Sequence, residues 1–221
     1  MALPQPFTTT TGVLASYDAI DVATGKGYMI LYGMAAYGES AKEYTLASTP
    51  TASLNGYETG VYRETASVWT AVGDVLDIDS NALNQNITID GEVIIELACG
   101  VRVTGNTGGF RGYPVLKKLV VSTETTILTL DSGYAQGGFV GVGSAGGVAI
   151  FKGAVSNQVI QQGEKIRITI VGEVYGTAGG GTAYYGQIGL SPNNEDYGGI
   201  KPSTGTEFSN LKVYIPIKID I

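Results

Sequence analysis

The chain has 221 residues, of which 43% are hydrophobic and only 15% are charged, with 33 glycines and 14 tyrosines. This length and composition predict one folded domain with a large core, and they exclude an intrinsically disordered protein. The net charge of −7 and 13 scattered basic residues exclude non-specific nucleic-acid binding, which requires a basic face. No stretch approaches the roughly 20 apolar residues that span a bilayer, so we expect no membrane partner.

The first residues of the chain predict an extended arm. Residues 1–16 are rich in proline and threonine, and Pro4 and Pro6 oppose a helix. Such an arm needs a surface to lie on, either its own or a neighbour's. The start of the chain lacks the basic residues and the apolar run of a secretion signal, which predicts synthesis in the cytoplasm. Residues 17–221 are then expected to form a single β-sandwich domain.

Strand patterns dominate after a short glycine-ended turn. Residues 28–32 form a compact apolar run, and residues 43–49, 67–72 and 75–79 predict further short strands. These segments are bounded by polar residues and glycine, as strands usually are. The first third of the chain therefore predicts several short strands and no long helix.

The second half of the chain predicts stronger strands. Residues 92–103, 115–122 and 126–130 are rich in valine, isoleucine and leucine, which fit half-buried pleated surfaces. Residues 166–170 alternate isoleucine with polar residues, which is the two-residue period of a strand.

The last eleven residues give the clearest strand. Apolar residues occupy every second position of 211–221, and Pro216 lies on the opposite face. Because proline cannot donate a hydrogen bond to a neighbouring strand, we expect an edge strand or a bulge here.

Glycines separate the predicted strands. They mark long turns at residues 105–109, 137–147, 179–181 and 198–199. Eight or more short strands are separated by such turns, and no amphipathic helix longer than two turns is found. This pattern predicts an all-β fold. We expect a jelly-roll-type antiparallel β-sandwich, because one sheet cannot cover so many apolar faces.

Recognisable catalytic chemistry is missing from the sequence. The chain has no histidine, which excludes Ser-His-Asp and Cys-His catalysis and nearly all zinc and copper sites. Residues 141–146 match G-x-G-x-x-G, but a strand pattern follows where a dinucleotide site needs a helix. Cys99 lies in an alternating apolar run and is interpreted as a buried thiol. We predict that the chain is not an enzyme and holds no cofactor.

The acidic residues give weak signals. Residues 77–88 begin like a calcium loop but lack its central glycine and final glutamate. Residues 193–196 are interpreted as a solvated polar turn, with a weak calcium site as the alternative. Asp74, Asp77 and Asp79 are carboxylates of the kind that a glycosidase uses, yet 20 acidic residues make such groupings common. We predict no metal site.

The tyrosines are the candidate interaction residues. Aromatic rings in glycine-rich loops can contact a glycan or a neighbouring subunit. Because tyrosine is also common in strands, burial or subunit packing is favoured over sugar binding. The candidates are Tyr57, Tyr62, Tyr134, Tyr184 and Tyr185.

Four segments together resemble a group of virion structural proteins from environmental tailed phages. They are ASYDAIDVATGKG (residues 15–27), the strand at 28–33, GEKIRITI (163–170) and LKVYIPIKIDI (211–221). The resemblance implies a capsid decoration or minor capsid protein, located in the virion, with other capsid proteins as partners. It also implies a homo-oligomer, and the jelly-roll analogy suggests a trimer. The alternative is a tail or spike module for host recognition or carbohydrate binding, and a glycosidase ranks last.

Overall fold

A computed structural model of the chain describes residues 15–16, 26–37, 42–49, 56–59, 68–103, 107–136, 143–176, 184–190 and 211–218. Within these ranges the regular structure is entirely β-strand, so the prediction of an all-β fold is confirmed. The strands are β1 (Ala15–Ser16), β2 (Lys26–Tyr37), β3 (Lys42–Ala47), β4 (Gly56–Glu58), β5 (Thr70–Ser80), β6 (Ile87–Val103), β7 (Gly108–Val120), β8 (Thr123–Thr129), β9 (Ala135–Gln136), β10 (Gly143–Ile160), β11 (Lys165–Gly176), β12 (Tyr184–Gly189) and β13 (Lys212–Lys218).

The strands join into one mixed sheet with two halves. In the first, called the β6 half, β10 pairs with β6 on one side, and β12 and β13 pair with it on the other. This half continues from β13 to β2, which also pairs with β1 and β3, and β4 pairs with β12. In the second, called the β11 half, β11 lies between β5 and β7, and β7 also pairs with β8 and β9.

A parallel contact between β3 and β5 joins the two halves. Thr45 lies opposite Asp79, and Leu46 lies opposite Ser80. Residues 48–69 separate the two strands in sequence, which is enough chain for a parallel crossover. The expectation of a purely antiparallel arrangement is therefore wrong at this one pairing.

Alternation of side chains places one face of each half in a common core. In β6 the odd-numbered side chains from Ile87 to Val103 are buried, whereas the outward positions are mostly polar or partly exposed. β11 buries Ile166, Ile168 and Ile170 in the same way. Fully burying one such side chain stabilises the fold by about 1.5–3 kcal/mol. The buried residues of both halves form a single cluster.

The inner faces of the two halves approach closely at glycines. A Cβ atom added to Gly112 of β7 would lie 3.3 Å from Cys99 Sγ of β6. A Cβ atom added to Gly153 of β10 would lie 2.6 Å from Leu130 at the end of β8. Cys99 is completely buried, which confirms the predicted thiol, and burial raises its pKa.

One strand replaces two predicted ones at residues 67–79. β5 is continuous, and Gly73 lies inside it with a φ of 81°. The register against β11 shifts on both sides of this region, between Ile170 and Val171 and between Gly172 and Glu173. The glycine therefore marks a bulge within a strand, and not the end of one.

Pro216 lies inside the sheet, in contrast to the edge-strand alternative. β13 is flanked by β2 and β6, and its register against β6 shifts between Tyr214 and Ile217. The extra residues at this shift lie in β6, between Ile89 and Ile94, and not in the proline-containing strand where a bulge was predicted. Gly91 of β6 has a φ of 141°, and a Cβ atom there would lie 3.1 Å from the proline ring.

The described part of the glycine-rich segment 137–147 is a strand. Residues 143–147 begin β10 and pair with β6, so the long-turn prediction is wrong for this part. Gly147 has a structural reason to lack a side chain, because a Cβ atom there would lie 2.6 Å from the backbone oxygen of Gln136. The residues that follow the G-x-G-x-x-G match, 148–151, lie in β10, which confirms the predicted strand where a dinucleotide site needs a helix.

Several sequence predictions fall outside the described residues. They concern most of the arm, the turn at 17–25, residues 193–196 and the last three residues of the final strand. Ala15 and Ser16, at the end of the predicted arm, pair with β2 as β1. In the part of the chain that is described, no helix has the length and apolar character needed to cross a membrane.

Candidate interaction surfaces

An arginine held between two aromatic rings lies on the outer face of the β11 half. The Arg111 guanidinium carbon is 4.4 Å from the Trp69 ring centroid and 3.8 Å from that of Tyr134. Arg111 Nε donates a hydrogen bond of 2.7 Å to Glu173 Oε2, and the Tyr134 hydroxyl donates one of 3.2 Å to Glu173 Oε1. The register of β7 and β11 places Arg111 directly opposite Glu173.

Two further tyrosines extend this group. Tyr175 lies 5.7 Å from Trp69, and Tyr113 lies edge-on to Tyr134 at 5.8 Å between ring centroids. Burial, aided by the charge of Glu173, raises the pKa of Tyr134, so its hydroxyl stays a neutral donor. Each cation–π contact contributes about 0.5–1 kcal/mol at such partly exposed positions. The Arg111 cluster, as we name it, comprises Trp69, Arg111, Tyr113, Tyr134, Glu173 and Tyr175.

A charge network lies farther along the same face. Arg167 binds both oxygens of Asp79, at 2.6 and 2.8 Å, and donates to Asp77 at 2.9 Å. It also contacts Glu124, which accepts a 2.8 Å hydrogen bond from Lys117. We call this the Arg167 network; its members are Asp74, Asp77, Asp79, Lys117, Glu124 and Arg167.

The ion pairs of the Arg167 network account for Asp74, Asp77 and Asp79, the three carboxylates that were considered for a glycosidase site. Asp74 lies 3.3 Å from Lys117, and Asp77 and Asp79 both bind Arg167. Each of these three carboxylates is therefore engaged by a cation of β7 or β11. Among the described residues no group of acidic, histidine or cysteine side chains is arranged to hold a metal ion.

We expect the ion pairs of Glu124 to stabilise the folded protein at neutral pH and to lose this effect in acid. The hydrogen bond from Lys117, followed by the charges of Lys117 and Arg167, lowers its pKa. A lowered folded-state pKa gives stability that is present above the unfolded pKa of about 4.3 and lost as the pH falls through the folded pKa. We expect Glu124→Gln to destabilise the protein at pH 7 by about 0.5–1 kcal/mol, because solvent screens this partly exposed group. Urea unfolding at pH 7 and pH 3 should show the difference shrinking in acid; an equal difference at both pH values would contradict this assignment.

The outward face of the β6 half carries smaller contacts. Lys212 Nζ lies 4.6 Å from the Tyr214 ring centroid, and the Tyr214 hydroxyl donates to Glu96 at 3.1 Å. At the end of β6, the Arg102 guanidinium lies 4.1 Å from the Tyr185 ring centroid. Beside them β10 presents Ile150, whose side chain is 63% exposed.

The five candidate tyrosines do not form one site. Tyr134 belongs to the Arg111 cluster and Tyr185 lies against Arg102, whereas Tyr57 packs edge-on to Tyr44 against the core. Tyr62 lies outside the described residues, as does the side chain of Tyr184. Contact of these tyrosines with a partner remains a prediction.

Sequence analysis missed most of the Arg111 cluster. Arg111 comes from β7, Glu173 and Tyr175 come from β11, and Trp69 directly precedes β5, so only the strand register brings them together. The single tryptophan of the chain was the one local signal available.

Comparisons with known proteins found similarity only among solved structures. No family model and no curated protein matches the chain. An α-amino acid ester hydrolase labelled with selenomethionine is 11% identical over 86% of this chain and 36% of its own length, with a TM-score of 0.42. A CocE/NonD family hydrolase from Staphylococcus aureus is 10% identical over 87% of this chain and 37% of its own, with a TM-score of 0.43. The chain thus spans little more than a third of these hydrolases.

These neighbours correct the functional prediction. They are hydrolases, and nothing found is a phage protein, so the prediction of a virion structural protein, with its host-recognition or carbohydrate-binding alternative, is contradicted. The prediction that the chain is not an enzyme is contradicted by the same neighbours. The resemblance itself rested on strand and turn sequences, which carry no functional residues, and it stays a prediction. At these identities and TM-scores the neighbours carry no activity over to this chain.

Proposed function

We propose that this chain is a self-associating domain whose binding surface is the Arg111 cluster and whose partner there is a second copy of the chain. The observation that carries the proposal is the Arg111 guanidinium stacked between Trp69 and Tyr134 and paired with Glu173 at the surface. The proposed architecture is a jelly-roll-type β-sandwich of residues 17–221 preceded by an arm at 1–16. The close contacts between the inner faces of the two halves support two packed layers.

The residue types of the cluster support a binding role. Tryptophan, tyrosine and arginine dominate the energetics of protein interfaces. Here they are half-buried and already held in one arrangement by stacking and hydrogen bonds. Binding through groups that are fixed in advance costs little conformational entropy. The cluster therefore offers a large aromatic surface at low ordering cost.

Charge favours a second copy as the partner. With a net charge of −7, two copies repel each other over most of their surfaces. The cluster is locally neutral, because Glu173 balances Arg111 within each chain. A two-fold contact brings the same patch of both copies together, so neutral aromatic rings meet without like charges facing each other.

A charge placed beside the cluster tests this proposal. Gln136 is exposed and lies opposite Arg111 in the β7–β9 pairing, so Gln136→Glu adds an acidic group there without removing a ring. Opposed like charges at an interface cost several kcal/mol, and each 1.4 kcal/mol is about tenfold in affinity. We expect the dissociation constant for self-association at this surface to rise by about tenfold or more.

The measurement is a dilution series that combines sedimentation with Trp69 fluorescence. Because the chain has one tryptophan, its emission reports contact at this cluster. Gln162→Glu makes the same charge change in the exposed turn before β11 and should leave the dissociation constant unchanged. Trp69 emission that is independent of protein concentration, or equal effects of the two variants, would overturn the proposal.

A further inference from the structure

The outer edge of β10 is the longest strand edge without an assigned neighbour in the described part of the chain. β10 is 18 residues long and pairs with β6 from Gly143 to Ile160. None of the described strands pairs with its other edge. Such an edge presents a row of backbone donors and acceptors that another strand can bind.

The composition of this edge favours pairing. Between residues 143 and 155 the only charged residue is Lys152, and Ile150 projects outward with 63% of its side chain exposed. Proteins usually protect edges with charges, prolines or bulges. Here the bulge comes only after Val155, where the register shifts and Asn157 has a φ of 49°. Residues 145–155 are thus a regular, nearly uncharged segment.

We infer that a second copy of the chain adds to this edge in antiparallel orientation, with the two-fold axis at Ile150. This axis makes residues 145–155 pair with themselves, and it places Ile150, the most exposed large apolar side chain of β10, at the centre of the contact. Ile150 lies opposite its own copy and Val148 lies opposite Lys152, so no like charges face each other. The small residues Gly147 and Gly153 lie opposite each other and leave room for close approach.

This surface is separate from the Arg111 cluster. β10 belongs to the β6 half, and the cluster lies on the outer face of the β11 half. The strand pairing depends on backbone hydrogen bonds and on Ile150, and not on Arg111 or its aromatic neighbours.

Disulfide trapping tests the pairing and its register. In Ile150→Cys the two introduced Cβ atoms should lie about 4.5–5.5 Å apart across the axis, close to the spacing that a disulfide needs. The native Cys99 is completely buried and does not compete. Because Ile150 is exposed, its replacement leaves the core intact. We expect mild oxidation with diamide to convert most of the Ile150→Cys protein into a covalent dimer on a non-reducing gel.

Two matched cysteine variants complete the experiment. Ala154→Cys lies on the same face of β10 but far from its own copy in this register, and Val121→Cys is 96% exposed in the turn after β7. Both should stay monomeric on the gel. Absence of an Ile150→Cys dimer overturns the strand pairing, and dimers of Ala154→Cys alone overturn the register. Equal trapping of Val121→Cys shows random collision and also overturns the inference.

Discussion

Gly186→Ala is expected to destabilise the folded protein by about 3 kcal/mol, at the upper end of the range for overpacked cores. A Cβ atom at Gly186 of β12 would lie 2.4 Å from Phe110 Cδ2 and 2.6 Å from Cε2. The Phe110 ring is completely buried, and its other side faces Gly172, where an added Cβ atom would lie 2.9 Å from the ring. The ring therefore has no space into which it can retreat.

Urea unfolding measures this effect, and thermal unfolding gives a second readout. For a chain of this size each kcal/mol lowers the melting temperature by about 2–4 °C. Gly133→Ala is the matched control, because no atom lies within 4 Å of a Cβ there, and it should change stability little. A smaller side chain at position 110 should relieve the clash with the added methyl group. The double variant Phe110→Leu with Gly186→Ala should therefore lose less free energy of unfolding than the sum of the two single variants. A Gly186→Ala protein as stable as the Gly133→Ala protein would contradict the packing described.

Removing Arg167 is the second change with a large expected effect. Arg167→Met keeps much of the side-chain volume but leaves Asp77, Asp79 and Glu124 close together with one fewer cation. The Arg167 side chain is 17% exposed, and its contact with Asp79 is bidentate, a geometry that makes ion pairs strong. We expect a loss of about 1–3 kcal/mol in the free energy of unfolding, part of it repulsion among the remaining carboxylates.

Salt and a matched ion pair separate this effect from a general loss of charge. Lys152→Met removes the exposed pair with Glu92, whose atoms are 3.7 Å apart, and should cost no more than about 1 kcal/mol. Added salt screens carboxylate repulsion, so the deficit of Arg167→Met should shrink between low and high ionic strength. If the two methionine variants unfold at the same urea concentration, the Arg167 network contributes no more than an exposed pair.

Much of the strand content could be predicted from the sequence. β6, β11 and β13 follow a two-residue alternation, because burying one face of a strand requires apolar residues at every second position. The start of β10 could not be predicted from the sequence, because adjacent glycines such as Gly146 and Gly147 are typical of a turn. Gly147 lacks a side chain because β9 packs directly over it, a contact that no local pattern encodes.

The candidate surfaces were less predictable. Of the three candidate tyrosines whose side chains the structure describes, only Tyr134 lies in the Arg111 cluster, and the arginine at its centre had no local signal. Arg111 and Glu173 meet because their strands are paired in one register, and a shift of one strand by one residue would place the two side chains on opposite faces of the sheet. The aspartates of β5 were recognised as a group, but their cations come from β7 and β11.

The sequence by itself determined the all-β class and the buried thiol of Cys99, because alternation and the burial of apolar residues are properties of the local chain. Tertiary structure alone decided that β13 lies inside the sheet, that Phe110 fits only between glycines, and that Arg111 is held by rings from distant segments. Those features depend on strand order and register, which are set by how the apolar faces of all strands pack together.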